Sequence, residues 1–172
     1  RALERAGARV VEARPPGLER TLALYSIVAV DGGAGLRRIL RACGTPLAES
    51  SLAHLRSERA PSAAQQAALF EAVGDFRTGV LAFMQEWDLI LCPPHAFTAT
   101  PPGSQYANLA GYSYTMAWNL TGQPAAVVRA GALPGGLPIG VQLVARPWRE
   151  DVALAAAVQI ERELGGWRAP EP

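Results

Sequence analysis

Lysine is missing from this chain. All 16 basic side chains are arginine. That excludes a whole class of chemistry, because no lysine here can act as a general base, a Schiff-base former or a phosphate-loop ligand. An excess of charge of either sign is missing too. The 16 basic and 15 acidic residues leave a net charge of +1, so nothing electrostatic points to nucleic acid or to an anionic lipid surface. Cysteine is scarce: Cys43 and Cys92 are far apart and form no CxxC motif. They read as two reduced thiols in an intracellular, cytoplasmic protein. No apolar run approaches the ~20 residues that cross a bilayer. A signal-peptide pattern and an initiating methionine are also missing. The opening RALERAGARV reads as the middle of a helix, which implies a fragment whose upstream half lies outside the chain.

What is present is a globular composition, 49% hydrophobic and 18% charged over 172 residues, enough for one ordinary domain or part of a larger one. RALERAG reads as a helix end stopped at Gly7, and ARVVEA (8–13) as a short strand closed by Pro15 and Pro16. GLERTLALYSIVAV reads as a helix running into DGGAG, Asp31 to Gly35. Gly44 to Pro61 is polar and irregular, a surface excursion. Ser62 and Gln65 have the spacing of a capping box. Leu69, Val73, Phe76, Val80, Phe83 and Trp87 then recur at three- and four-residue steps, one face of a helix turned to the core.

After Asp88, LILC has the length of a buried strand. A proline-rich loop, Pro93 to Gly103, separates it from the helical GYSYTMAWNL, which ends near Gly122. AAVV and PIGVQLVA are strands on either side of a Gly/Pro bend. In the second, Ile139, Val141, Leu143 and Ala145 share one face while Gly140 and Gln142 lie on the other. Asp151 to Leu164 is a last helix, stopped by Gly165 and Gly166. Short strands alternating with helices predict an α/β fold around a largely parallel sheet.

Tested singly, the motifs supply no self-sufficient reactive centre. GALPGGLPIG lies between two strands, whereas a phosphate cradle needs a helix start after it. DGGAG could open a helix at Leu36 but lacks the rest of such a motif. GYSYT lacks the second glycine of a nucleophile elbow. His54 and His95 are the only histidines, and neither has acidic company at a useful spacing. Cys92 and His95 form C-P-P-H, two ligands without the second pair a metal site needs. Ser50 and Ser51 are adjacent but have no glycine bed, and the Asn119 sequon lies in a helical setting. The remaining candidate is a ligand wall beyond the end of LILC, built from Tyr112, Ser113, Thr115 and Trp118, which suits an organic ligand better than an ion. Packing aromatics would give the same pattern for Tyr112 and Trp118.

In order, WDLILCPP, SYTMAWNLTGQPAAVV, GGLPIGVQLVA and a closing helix resemble the C-terminal part of the amidase signature family. The match is most specific from Asp88 to about Glu163. DGGAG and SYT bring it closer to the fatty-acid-amide-hydrolase-like branch than to tRNA-dependent amidotransferase A subunits. The resemblance implies that residues 1–172 form the C-terminal portion of a single amidase domain, an α/β fold with a mixed β-sheet flanked by helices. It also implies a serine hydrolase that cleaves carboxamide C–N bonds through an acyl-enzyme, using a Ser-Ser-Lys triad upstream of this chain. No catalytic residue, cofactor-binding residue or metal ligand is therefore assigned here, no cofactor is implied, and the segment alone is expected to be inactive.

The same resemblance implies a small-molecule amide as partner and admits a homodimer. It puts Tyr112, Thr115 and Trp118 at the substrate pocket and makes Gln142 a structural hydrogen-bonding residue. Two departures stand out. Amidotransferase A subunits carry an acidic residue seven positions before the Asn of the Asn-Leu pair, where this chain has Tyr112, which argues against glutamine. The family usually has proline where this chain has Arg129, a residue expected at a strand end or the surface. The alternatives are a non-catalytic binding remnant and an amidotransferase A subunit. The isolated segment is expected to expose an unpaired sheet edge and an apolar face.

Overall fold

The structure is a computed structural model that describes residues 1–29, 31–46 and 61–169. Most of the Gly44–Pro61 excursion, with Ser50, Ser51 and His54, lies outside the described residues. The elements are α1 (Ala2–Arg5), α2 (Thr21–Leu24), α3 (Ala34–Ala42), α4 (Ala63–Phe83), β1 (Leu89–Cys92), α5 (Ser113–Thr121), β2 (Ala125–Ala132), β3 (Pro138–Ala145) and α6 (Glu150–Leu164).

The longest helix starts where its cap signal stands. Ser62 Oγ accepts from the Gln65 N–H at 3.3 Å while Gln65 Oε1 accepts from the Ser62 N–H at 2.9 Å, so two otherwise orphaned donors are satisfied. The stripe of α4 then goes inward. Phe76 and Val80 are buried, with Leu69, Val73, Phe83 and Trp87 against the same cluster. The Leu18–Ala29 stretch is helical but broken: α2 spans one turn between 3-10 turns at Leu18–Arg20 and Tyr25–Ala29. At α3 the Asp31 carboxylate accepts from the Gly33 and Gly35 N–H groups at 2.8 and 2.6 Å, and these bonds hold its pKa below the ordinary value.

Three described strands form a sheet in the order β1-β3-β2. Every pairing is antiparallel, with Leu91 opposite Leu143 and Val128 opposite Val141, in place of the expected largely parallel sheet. The Gly/Pro bend turns β2 straight back as β3, and β1 joins the far side of β3. Only β1 and β2, on opposite flanks of β3, run the same way. The layered α/β reading stands.

The period of two in β3 sends alternate side chains to two cores. Leu143, with Val128, Ala157, Ile160 and Leu3, faces α6 and α1. Val144, with Met84, Ala117 and Trp118, faces α4 and α5. Gly140 lies close to the neighbouring strand and the proline loop: an added Cβ would stand 3.3 Å from Val127 Cγ1 and 3.4 Å from Pro94 Cγ.

Two further expectations are corrected. Residues 8–13 form no strand: among the described residues the main chain from Arg9 to Pro16 makes no backbone hydrogen bond, and Val10 and Val11 stay half exposed. A β-favouring sequence makes a ladder only when a partner edge is within reach. Arg129 sits inside β2 at a bulge between Arg129 and Gly131. It is half-buried, and its guanidinium reaches the Gly166 carbonyl at 3.5 Å. That carbonyl, just past the end of α6, is a partner the sequence does not show.

Candidate functional site

Helix α5 carries the site candidates and presents two different faces. It continues from a 3-10 helix, Gln105–Tyr112, and ends at Gly122, whose φ of 72° lets its N–H return to the Trp118 carbonyl at 2.8 Å. Glycine is favoured there because only it adopts that conformation freely.

One face looks across β1 into a cavity of about 1090 Å³. Ser113, Tyr114, Ala117 and Trp118 line it from α5, and Ile90 to Pro93 from β1. Glu12 to Pro15 and Leu18 to Leu22 close the other side, Arg20 apart. Trp118 and Thr21 are almost wholly buried at this wall. Neither the Trp118 indole N–H nor the Thr21 hydroxyl has a hydrogen-bond partner in bonding geometry.

Gln142 holds the wall together. It is 2% exposed, and its side-chain amide donates to the Tyr114 carbonyl at 3.0 Å and to Cys92 Sγ at 3.4 Å. Burial pushes the Cys92 thiol up in pKa. The Gln142 amide and the nearby Trp118 indole N–H pull the other way and lose. The neutral thiol therefore dominates at pH 7, the weak form of the nucleophile.

Tyr112, before the first turn of α5, packs against aromatic rings instead. The Tyr112 ring meets the His95 ring at 4.3 Å between centroids, and Phe97 meets His95 edge-on at 5.6 Å. The Ala96 N–H donates to the Gly111 carbonyl at 3.1 Å. A Cβ on Gly111 would come within 2.8 Å of His95 Nε2, so this approach requires glycine. Thr115 Oγ1 donates back to the Tyr112 carbonyl at 3.0 Å within its own helix.

The three expected site residues thus separate. Trp118 lines the cavity, while Tyr112 and Thr115 do not. Cys92 and His95 also part: Cys92 faces the cavity and His95 the Tyr112 side. Among the described residues there is no cluster of three or more His, Cys, Asp or Glu that could hold a metal, and no helix is long and apolar enough to cross a membrane. Sequence reading missed Thr21 as a wall residue. Its signal was a hydroxyl at the start of the apolar stretch TLALY.

The arrangement offers hydroxyl, thiol and indole groups on an apolar wall, which can hold an organic group. Among the described residues Cys92 Sγ takes the Gln142 amide and the Thr21 hydroxyl has no partner, so neither is hydrogen-bonded to a base. The family model described as Amidase matches residues 1–154. The chain is 34% identical to fatty-acid amide hydrolase 2-A of Danio rerio over 82 residues, 48% of this chain and 15% of that protein. It is 40% identical to the A subunit of glutamyl-tRNA(Gln) amidotransferase from Neisseria meningitidis over 88 residues, 49% of this chain and 18% of that protein. Among solved structures, 6-aminohexanoate cyclic dimer hydrolase superposes with a TM-score of 0.79 at 27% identity. That likeness covers 99% of this chain and 41% of the hydrolase.

Proposed function

The chain belongs to the amidase family, and from that premise we propose that it is the C-terminal portion of a single amidase domain in a serine amidohydrolase that cleaves a carboxamide C–N bond. The observation that carries the reading is the family match over 1–154 in a chain without lysine. The triad, two serines and a lysine, then comes from sequence upstream. The lysine and the bridging serine move the proton from the nucleophilic serine, backbone N–H groups hold the oxyanion, and water hydrolyses the acyl-enzyme. This chain supplies part of the scaffold and one wall of the substrate pocket, with Ser113 and Trp118, which line the cavity, as the contacts. Aromatic and hydroxyl contacts of that kind suit an apolar or aryl amide.

The amidotransferase reading is supported by the 40% identity to the Neisseria protein. The tyrosine at position 112 speaks against it, because it offers no carboxylate to the amino group of glutamine. The test is hydrolysis of aryl and alkyl amides, and of glutamine, by the protein translated from its uninterrupted reading frame. Turnover of an aryl or alkyl amide, lost on replacing an upstream serine of a Ser-Ser pair, is expected. Glutamine turnover alone, or a reading frame without such a pair and a lysine, overturns the proposal.

A further inference from the structure

One end of the cavity beside Trp118 has two rims. Pro93, at the start of the proline loop, forms one, and Ala110 and Ser113 form the other. Gly111 and Tyr112, between the last two, do not border the cavity. They turn to the loop and meet His95, which also stands outside the lining. What sits between the loop and this turn therefore fixes how far apart the rims stand.

The loop is the fixed side. A proline ring locks its own φ, so Pro93 and Pro94 are stiff, and Pro94 Cγ lies so near β3 that a Cβ on Gly140 would stand 3.4 Å from it. His95 follows on this base. Its Nδ1 lies 2.9 Å from the Phe97 carbonyl and 3.1 Å from the Phe97 N–H, so either tautomer has a main-chain partner. The pinned ring carries the turn on its far side, with the Tyr112 ring at 4.3 Å. The bond from the Ala96 N–H to the Gly111 carbonyl holds the turn against it. Nε2, at this contact, is buried without a partner, so the imidazole works there through its size. The space is full: an added Cβ on Gly111 would stand 2.8 Å from Nε2 and 3.1 Å from Cε1, which overpacks the contact. The turn itself is the yielding side, because Asn108 leaves helical geometry just before it, at φ −123° and ψ 36°.

We propose that His95 is a positioning residue, a spacer between loop and turn that sets the distance from Pro93 to Ala110 and so the size of group this end of the cavity admits. It acts on the cavity without touching what the cavity holds. As a determinant of which amide substituent fits, the role rests on the proposed amidohydrolase function. As a determinant of access to the cavity, it does not.

The test uses the protein made from its uninterrupted reading frame, with Gly111→Ala as a wedge against the ring and His95→Trp as a second wedge. Two readouts are taken. One is kcat/KM for a small and a bulky aryl amide. The other is iodoacetamide alkylation of Cys92, which lines the cavity, with the exposed Cys43 as internal control. Each wedge is expected to raise the bulky-to-small ratio of kcat/KM about tenfold, the scale of a methylene in a pocket, and to speed Cys92 alkylation relative to Cys43. Adding His95→Ala to Gly111→Ala removes the atoms that the new methyl meets first, and Phe97, its other neighbour, is exposed and free to yield. The double variant is expected to return both readouts toward the parent, and His95→Phe, which keeps a ring in place, to match the parent. Equal loss of turnover for both amides with unchanged Cys92 access overturns the proposal, as does a double variant no different from Gly111→Ala. A parent without amide turnover overturns the proposed function instead. Cys92 access then decides the spacer role by itself: faster alkylation in the wedges supports it and equal alkylation overturns it.

Discussion

Gln142 and Tyr114 are 28 residues apart in sequence, yet the Gln142 side-chain amide donates to the Tyr114 carbonyl at 3.0 Å. This bond ties the middle of β3 to the first turn of α5, and Cys92 of β1 shares the same amide. One side chain thus fixes the helix of the candidate site against both strands beneath it. The substitution Gln142→Leu removes the donor from a buried place and should destabilise the chain by about 1–3 kcal/mol. Urea unfolding followed by circular dichroism checks this: a lower midpoint at unchanged slope is expected, and an unchanged midpoint would contradict the role.

Ser62→Ala removes one arm of the reciprocal cap of α4. The expected cost is about 0.5–2 kcal/mol, read as a lower melting temperature. Ser62→Asp keeps an acceptor and should recover most of the loss.

Leu143 has no exposed surface and stands in the core between the sheet and α6. Leu143→Ala should cost about 2–5 kcal/mol through lost burial and a residual cavity. Leu154, on the same helix that covers this core but 59% exposed, makes the control. Leu154→Ala should change stability by no more than about 0.5 kcal/mol. Equal losses at the two positions would mean that the sheet does not lie under α6 as described.

Asp31 is the acid-sensitive cap. Its folded pKa is held below the ordinary carboxylate value, first by the Gly35 N–H, which outweighs the opposing desolvation, and then by the Gly33 N–H. A depressed carboxylate contributes stability that is present above its unfolded pKa and lost as pH falls through the folded one. Melting temperature measured between pH 6 and the acid limit should therefore fall at the low end. Asp31→Asn, which keeps an acceptor but cannot titrate, should lack that part of the fall. Parallel curves for the two proteins would remove Asp31 from the acid response.

Much of this was legible from local pattern. Ser62 with Gln65 marked a helix start, the Leu69-to-Trp87 stripe marked its inner face, and the alternation in PIGVQLVA gave both faces of β3. These are properties of a few neighbouring residues, and 3.6- and 2-residue periods carry them. Residues 8–13 were not legible in the same way. A β-favouring sequence says that a segment can pair, whereas pairing needs an edge at hydrogen-bonding distance. Arg129 was misplaced because its partner, the Gly166 carbonyl, is 37 residues away in sequence and invisible in composition.

The sequence by itself determined the family, the absence of lysine chemistry and the amphipathic faces, since each rests on residue identity and short-range spacing. Only the tertiary structure decided that Trp118 lines the cavity while Tyr112 turns to His95, and that Cys92 and His95, three residues apart, part company. A residue's place on a helix or strand sets its direction relative to its neighbours. What stands in that direction is set by long-range packing of elements that the local pattern cannot rank.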